Sequence, residues 1–219
     1  MTTLRFAPGC GLMLYKPRLA TRLHGVIEEH VGPADLLHTC CRHVPPLAPG
    51  TRVVNVCPGC DRRYRQNYEQ ATTVSVWELM VEGGFPDVPD YRGRAMTIVD
   101  ACPTRDQERV HDAVRALVRR MNITLIEPRH TRTKSTCCGD SLWESASPDA
   151  VRGAMRAKAA SMPADEVIVY CVSCAKAMFL GGKRPRYLPD LLFAEETSAQ
   201  TFDPAEWHKE LDDYIASHT

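Results

Sequence analysis

The ten cysteines of this chain fall into two sets of five with the same layout. The first set is Cys10, then Cys40-Cys41, then Cys57-Pro58-Gly59-Cys60. The second is Cys102, then Cys137-Cys138-Gly139, then Cys171-Val172-Ser173-Cys174. Apolar periodicity gives each set the same frame. A strand runs into the single cysteine, a helix follows, the adjacent pair comes next, a second strand ends at Cys-x-x-Cys, and a helix, a strand and a short helix close the pattern. In the first half the spacing predicts strands over 3–6, 52–56 and 73–76, with helices over 17–30, 61–69 and 77–80. In the second it predicts strands over 95–99, 123–126, 167–170 and 186–188, with helices over 106–121, 148–161 and 190–193. Leu19, Leu23, Val26 and Ile27 share one face of the first long helix, and Val110, Ala113, Val114, Leu117 and Met121 share one face of its counterpart.

Alternating strands and helices predict parallel sheets, whose carboxyl ends are where such folds hold ligands. The Gly-, Pro- and Asp-rich stretch over 83–90 predicts the boundary between halves. The expected fold is therefore α/β, with two duplicated units related by a pseudo-two-fold, each a small parallel-type sheet with flanking helices. The expected domains are 1–86, 87–200 and a C-terminal amphipathic helix within 201–219. In that helix Asp203 caps, Pro204 takes the first position, and Trp207, Leu211, Tyr214 and Ile215 form a stripe.

With 27 basic and 27 acidic residues the chain carries no global field for nucleic acid. No apolar run approaches the roughly 20 residues of a membrane span. The first ten residues lack a secretory pattern, which makes a cytoplasmic location the expectation. Thiols stay reduced there, so cysteine clusters point to metal or redox work before disulfides.

Four thiolates complete a structural zinc site or hold an ordinary iron–sulfur cluster, so five per set is one too many for either. Adjacent cysteines are awkward on one small ion because successive side chains diverge. They suit a centre of several metal atoms, where neighbouring sulfurs reach different irons. Zinc held by four of each five is the rival reading, with an interaction scaffold as its function.

On these residues the chain resembles the cysteine-rich CCG-domain family, which includes the disulfide-reducing subunit of heterodisulfide reductase and the iron–sulfur subunits of lactate and glycolate oxidation. The shared pattern is a cysteine, a distant Cys-Cys-Gly and a final Cys-x-x-Cys, duplicated, and it spans about residues 4–195. Asp100-Ala101-Cys102-Pro103 is similar to that family's Asp-Pro-Cys turn, whereas Arg42 stands where the first pair should be followed by glycine. The resemblance implies two 4Fe–4S clusters of the noncubane kind, with a disulfide or similar substrate reduced between them. One would be held by Cys10, Cys40, Cys41, Cys57 and Cys60, the other by Cys102, Cys137, Cys138, Cys171 and Cys174.

The chain has no dinucleotide fingerprint, no phosphate loop and no ferredoxin run of cysteines. Electrons are then expected from another redox subunit, a flavoprotein or a ferredoxin-like protein. An electron relay to a flavin- or quinone-linked dehydrogenase is the alternative role. Arg129, Arg132 and Lys134 before the second pair, and Arg42 after the first, are candidates for charge compensation or for holding an anionic substrate. His38 and His43 flank the first pair and are candidates for proton transfer.

Overall fold

The computed structural model describes residues 3–37, 46–83, 87–198 and 202–218. The chain divides into two compact units, the first comprising 1–86 with 210–219 and the second 87–209. Each unit is built on a four-stranded sheet in which every pairing is parallel.

In unit 1 the strands are β1 (Leu4–Ala7), β2 (Asp35–Leu36), β3 (Arg52–Asn55) and β4 (Thr72–Ser75), in the order β2-β1-β3-β4. Helices α1 (Cys10–Tyr15) and α2 (Pro17–His30) follow β1, α3 (Pro58–Asn67) follows β3, and α4 (Val76–Glu82) follows β4. The expected bounds of α2 match, because Pro17 opens it and Leu19, Leu23 and Ile27 bury its apolar stripe. Two elements escape a reading of the sequence. α1 is only six residues long, and β2 only two, both too short to show a period.

The spacing predicts that helix α3 leaves the Cys57–Cys60 site at residue 61. It begins instead at Pro58, with Cys57 as its N-cap residue, so the Cys-x-x-Cys segment is itself the first turn. Proline at the first helical position explains the early start, since it needs no donor there. At the end of β4, Ser75 and Glu78 close a reciprocal capping box that starts α4.

Unit 2 has β5 (Ala95–Val99), β6 (Thr124–Ile126), β7 (Glu166–Val169) and β8 (Arg184–Tyr187), in the order β6-β5-β7-β8. Helices α5 (Glu108–Arg120), α6 (Pro148–Ala160), α7 (Val172–Leu180) and α8 (Leu188–Leu192) complete it. β7 is buried along its whole length, as a central parallel strand should be. Helix α9 (Pro204–Ser217) is divided: its residues through Lys209 count with unit 2 and the rest with unit 1. Within unit 1, Ile215 joins Ala7, Cys10, Val53, Cys60 and Tyr64 in one apolar cluster, with Leu211 and Tyr214 against it. Within unit 2, Trp207 donates its indole N–H to Ser173 Oγ at 3.2 Å.

Among the described residues, no helix is long and apolar enough to cross a membrane.

Candidate metal centre

The strand order puts the cysteines where an open parallel sheet has its crevice. In each unit the order in which strands are added reverses between the first strand and the third, and ligands bind outside the carboxyl ends of that pair. Cys10 follows β1 and Cys57 follows β3, which are neighbours in the first sheet. Cys102 follows β5 and Cys171 follows β7, neighbours in the second. The eight described cysteines are thiols.

In unit 1 the turn after β1 presses against the Cys-x-x-Cys turn. Gly9 has φ +86°, and a Cβ there would lie 2.8 Å from Cys57 Cβ and 3.3 Å from Cys60 Sγ. Only glycine permits both that backbone and that approach. Cys10 and Cys60 are buried in the same apolar cluster, with Cys57 packed on it. Cys40, Cys41, Arg42, His38 and His43 lie outside the described residues.

Unit 2 brings all five of its cysteines together. Their side chains form a hydrogen-bonded run from Cys102 to Cys137 to Cys138 to Cys174 to Cys171. Donation from Cys102 and Cys138 holds the Cys137 thiol well below the usual range. Ser141 Oγ at 3.0 Å and the Gly139 N–H at 3.3 Å also face its sulfur. The contact with Cys137 pushes both Cys102 and Cys138 up, and burial adds to it. The contact with Cys138 likewise raises Cys174. Among the described residues, no three His, Cys, Asp or Glu side chains are arranged to hold one metal ion.

The glycine of Cys137-Cys138-Gly139 has a double reason to be there. Its φ is +109°, and a Cβ would stand 3.0 Å from both the backbone N and Cγ of Met155 on α6. The turn therefore lies directly on that helix, which starts at a Ser147 cap.

A buried polar network holds the other side of the site. The Asp100 carboxylate, at the end of β5, accepts from both terminal nitrogens of Arg115 at 2.9 Å, from Thr131 Oγ1 at 3.1 Å and from the Arg132 N–H at 2.6 Å. Burial pushes the Asp100 carboxyl up, but the Arg115 hydrogen bonds and charge outweigh it and leave it lowered. Arg115 also binds Glu127 at 2.6 and 2.8 Å. Ser135 donates to the Asp100 carbonyl at 2.7 Å, and Arg105 donates to the Ser135 carbonyl at 3.0 Å. These bonds fix the loop before Cys137 against the turn before Cys102. Tyr170 is a buried polar hub: its hydroxyl accepts from the Ala101 N–H and meets Thr104 Oγ1, both at 3.0 Å.

Of the basic residues expected to compensate charge, Arg132 directs its guanidinium to Asp112 at 2.7 Å, and Arg129 and Lys134 are exposed. Sequence reasoning misses Lys158. It is 5% exposed, its ammonium donates to Thr136 Oγ1 at 3.2 Å, and among the described residues it has no carboxylate partner. Burial pushes its pKa down, while Cys174 and Cys138 pull it back up. Its spacing is a signal, because Val151, Met155 and Lys158 share the buried face of α6.

No family model and no curated protein matches the chain. Among solved structures it is similar to Picrophilus torridus aspartate racemase at 7% identity, with 99% of this chain and 100% of that one covered and a TM-score of 0.35. A likeness that remote carries no argument about fold or chemistry.

Proposed function

We propose that the protein is an iron–sulfur oxidoreductase subunit similar to the disulfide-reducing subunit of heterodisulfide reductase, with one metal–sulfur centre in each unit. The observation that carries this reading is the run of five adjoining thiols in unit 2, drawn from both switch-point strands and the Cys-Cys-Gly turn. Five soft donors are one more than a single tetrahedral zinc takes, and they suit a centre of several iron atoms. Cys102, Cys137, Cys138, Cys171 and Cys174 would hold the second centre. In unit 1, Cys10, Cys57 and Cys60 adjoin and would share theirs with Cys40 and Cys41.

Such a group supplies one-electron transfer. The chain's own part is to fix the sulfurs and tune their charge. The Gly139 N–H and Ser141 hydroxyl stabilise a thiolate at Cys137. The Asp100–Arg115 network locks the two segments that present Cys102 and Cys137. The substrate class, taken from the family resemblance, is a disulfide. Two electrons and two protons convert it to two thiols, with a flavoprotein or ferredoxin-like partner as reductant.

Anaerobic purification with iron and acid-labile sulfide counts, joined to EPR of the oxidised protein, tests the reading. Iron and sulfide in comparable amounts with a paramagnetic signal are expected; zinc without sulfide would refute it.

A further inference from the structure

Among the described residues of unit 2, three lysine or arginine side chains are buried, and two are already matched by carboxylates. Arg115 pairs with Asp100 and Glu127, and Arg186 pairs with Glu166. Lys158 is the third. Its hydrogen-bond partner is the Thr136 hydroxyl, and the ionisable groups that act on it most are the sulfurs of Cys174 and Cys138, followed by the Asp100 carboxylate and the sulfur of Cys137. An ammonium buried without an anion is costly, and a site keeps one where negative charge is to appear. Metal binding creates that charge, because the ligands must bind as thiolates. Among the described residues of unit 1, by contrast, no lysine or arginine is buried. There the Cys-x-x-Cys is followed by a buried acid, Asp61, which Arg65 meets at 2.9 Å.

We propose that Lys158 is the resident counter-ion of the second cysteine set, a positioning residue that stabilises the metal-loaded thiolates and raises that centre's reduction potential. This rests on the metal-centre reading above. Helix α6 delivers the charge from behind the Cys-Cys-Gly turn, where Gly139 lies on Met155, three residues before Lys158. The same helix face thus supports the turn and supplies the cation.

The test uses the full chain with Lys158→Met and Lys158→Gln, reconstituted anaerobically with ferrous iron and sulfide, alongside metal-stripped samples of each. The metal-stripped variants should melt at or above the wild type, since an unmatched buried charge has been removed. The loaded variants should lose metal to a chelator about 10- to 100-fold more readily, the range seen for residues that support metal ligands from behind. The midpoint potential of the remaining centre should move to a more negative value, because removing a positive charge disfavours an added electron. If both neutral variants lower the loaded and stripped melts equally and leave the potential unmoved, Lys158 is only a packing residue and the inference fails. A wild-type chain that takes up no iron fails the metal-centre reading instead, and Lys158 then has no charge to balance.

Discussion

Replacing Gly139 with alanine tests whether the Cys-Cys-Gly turn is shaped by its backbone, by its contact with α6, or by both. The left-handed conformation at φ +109° costs a non-glycine residue about 1–2 kcal/mol. The new methyl would also sit 3.0 Å from the Met155 backbone nitrogen and 3.2 Å from Ala154 Cβ, so part of the obstacle is backbone that cannot swing aside. Overpacking of this kind costs about 1–3 kcal/mol. Together they give a loss of about 2–5 kcal/mol. At a urea dependence of about 2 kcal/mol per molar the unfolding midpoint should fall by about 1–2.5 M. Trp143 and Trp207 lie in unit 2 and report its unfolding by fluorescence once Trp77 of unit 1 is replaced by Phe in every sample, measured on metal-stripped protein so that ligand binding does not enter. Two neighbouring glycines separate the causes. Gly182→Ala, at φ +80° with nothing near, should show the backbone cost alone, about 1 kcal/mol. Gly153→Ala, on the exposed side of α6 with open space around it, should stabilise by about 0.5–1 kcal/mol. A Gly139→Ala loss no larger than that of Gly182→Ala would show that the turn does not depend on its contact with α6.

In unit 1, Gly9→Ala should cut metal content sharply, because its methyl would meet Cys57 Cβ at 2.8 Å; iron analysis equal to wild type would count against that crowding. Arg115→Met leaves the Asp100 carboxylate buried without its cation, and should cost about 3–5 kcal/mol in urea unfolding of unit 2. Arg115 also holds the Glu127 carboxyl below the usual range, so that group's contribution to stability is present above its unfolded value of about 4.3 and is lost as pH falls through the folded one. The stability gap between wild type and Glu127→Gln should accordingly be widest near neutrality and close as pH falls through the lowered folded value, as acid titrations of both would show. Ser141→Ala removes a donor to the Cys137 sulfur, and should make the loaded centre's potential more negative without altering the fold seen by circular dichroism.

The sequence carries the fold through its strands and long helices. Val53-Val54, Met96 to Val99 and Val167 to Val169 are apolar runs of the sort a buried parallel strand needs, and the α2, α6 and α9 starts are marked by Pro17, Pro148 and Pro204. Local pattern cannot reveal β2, whose two residues exist as a strand only because β1 pairs with them. The cysteine spacing draws attention to the second site, yet the residues that support it are hidden for different reasons. Asp100, Arg115 and Glu127 are scattered along the chain, and nothing in their spacing says that the fold will assemble them. Lys158 is legible as a charge on an apolar helical face, but a lysine so placed usually lays its stem along the core and keeps its ammonium in water. Here the ammonium is instead held by the Thr136 hydroxyl, next to Cys137, which is a tertiary fact.

The two units share a scaffold and differ in what surrounds the sulfurs. Each sheet sets one cysteine beyond its first strand and a Cys-x-x-Cys beyond its third, so the switch point of a parallel sheet accounts for three of every five ligands in the proposed centres. The supports diverge from there. Before Cys10 stand Pro8 and Gly9, and the turn fits by absence of a side chain. Before Cys102 stand Asp100 and Ala101, and the turn is tied by charge to Arg115 and the 131–135 loop. A buried carboxylate follows Cys60, where alanine follows Cys174. An acid already paired with Arg65 in one unit, against an ammonium with no carboxylate partner among the described residues in the other, would give matched sulfur sets unequal potentials, with the second the easier to reduce. Electrons entering through a partner would then settle in unit 2 first. Unequal charge around matched ligands is what two such centres would need to act in order, and in the proposed reading that difference would reside chiefly in Lys158.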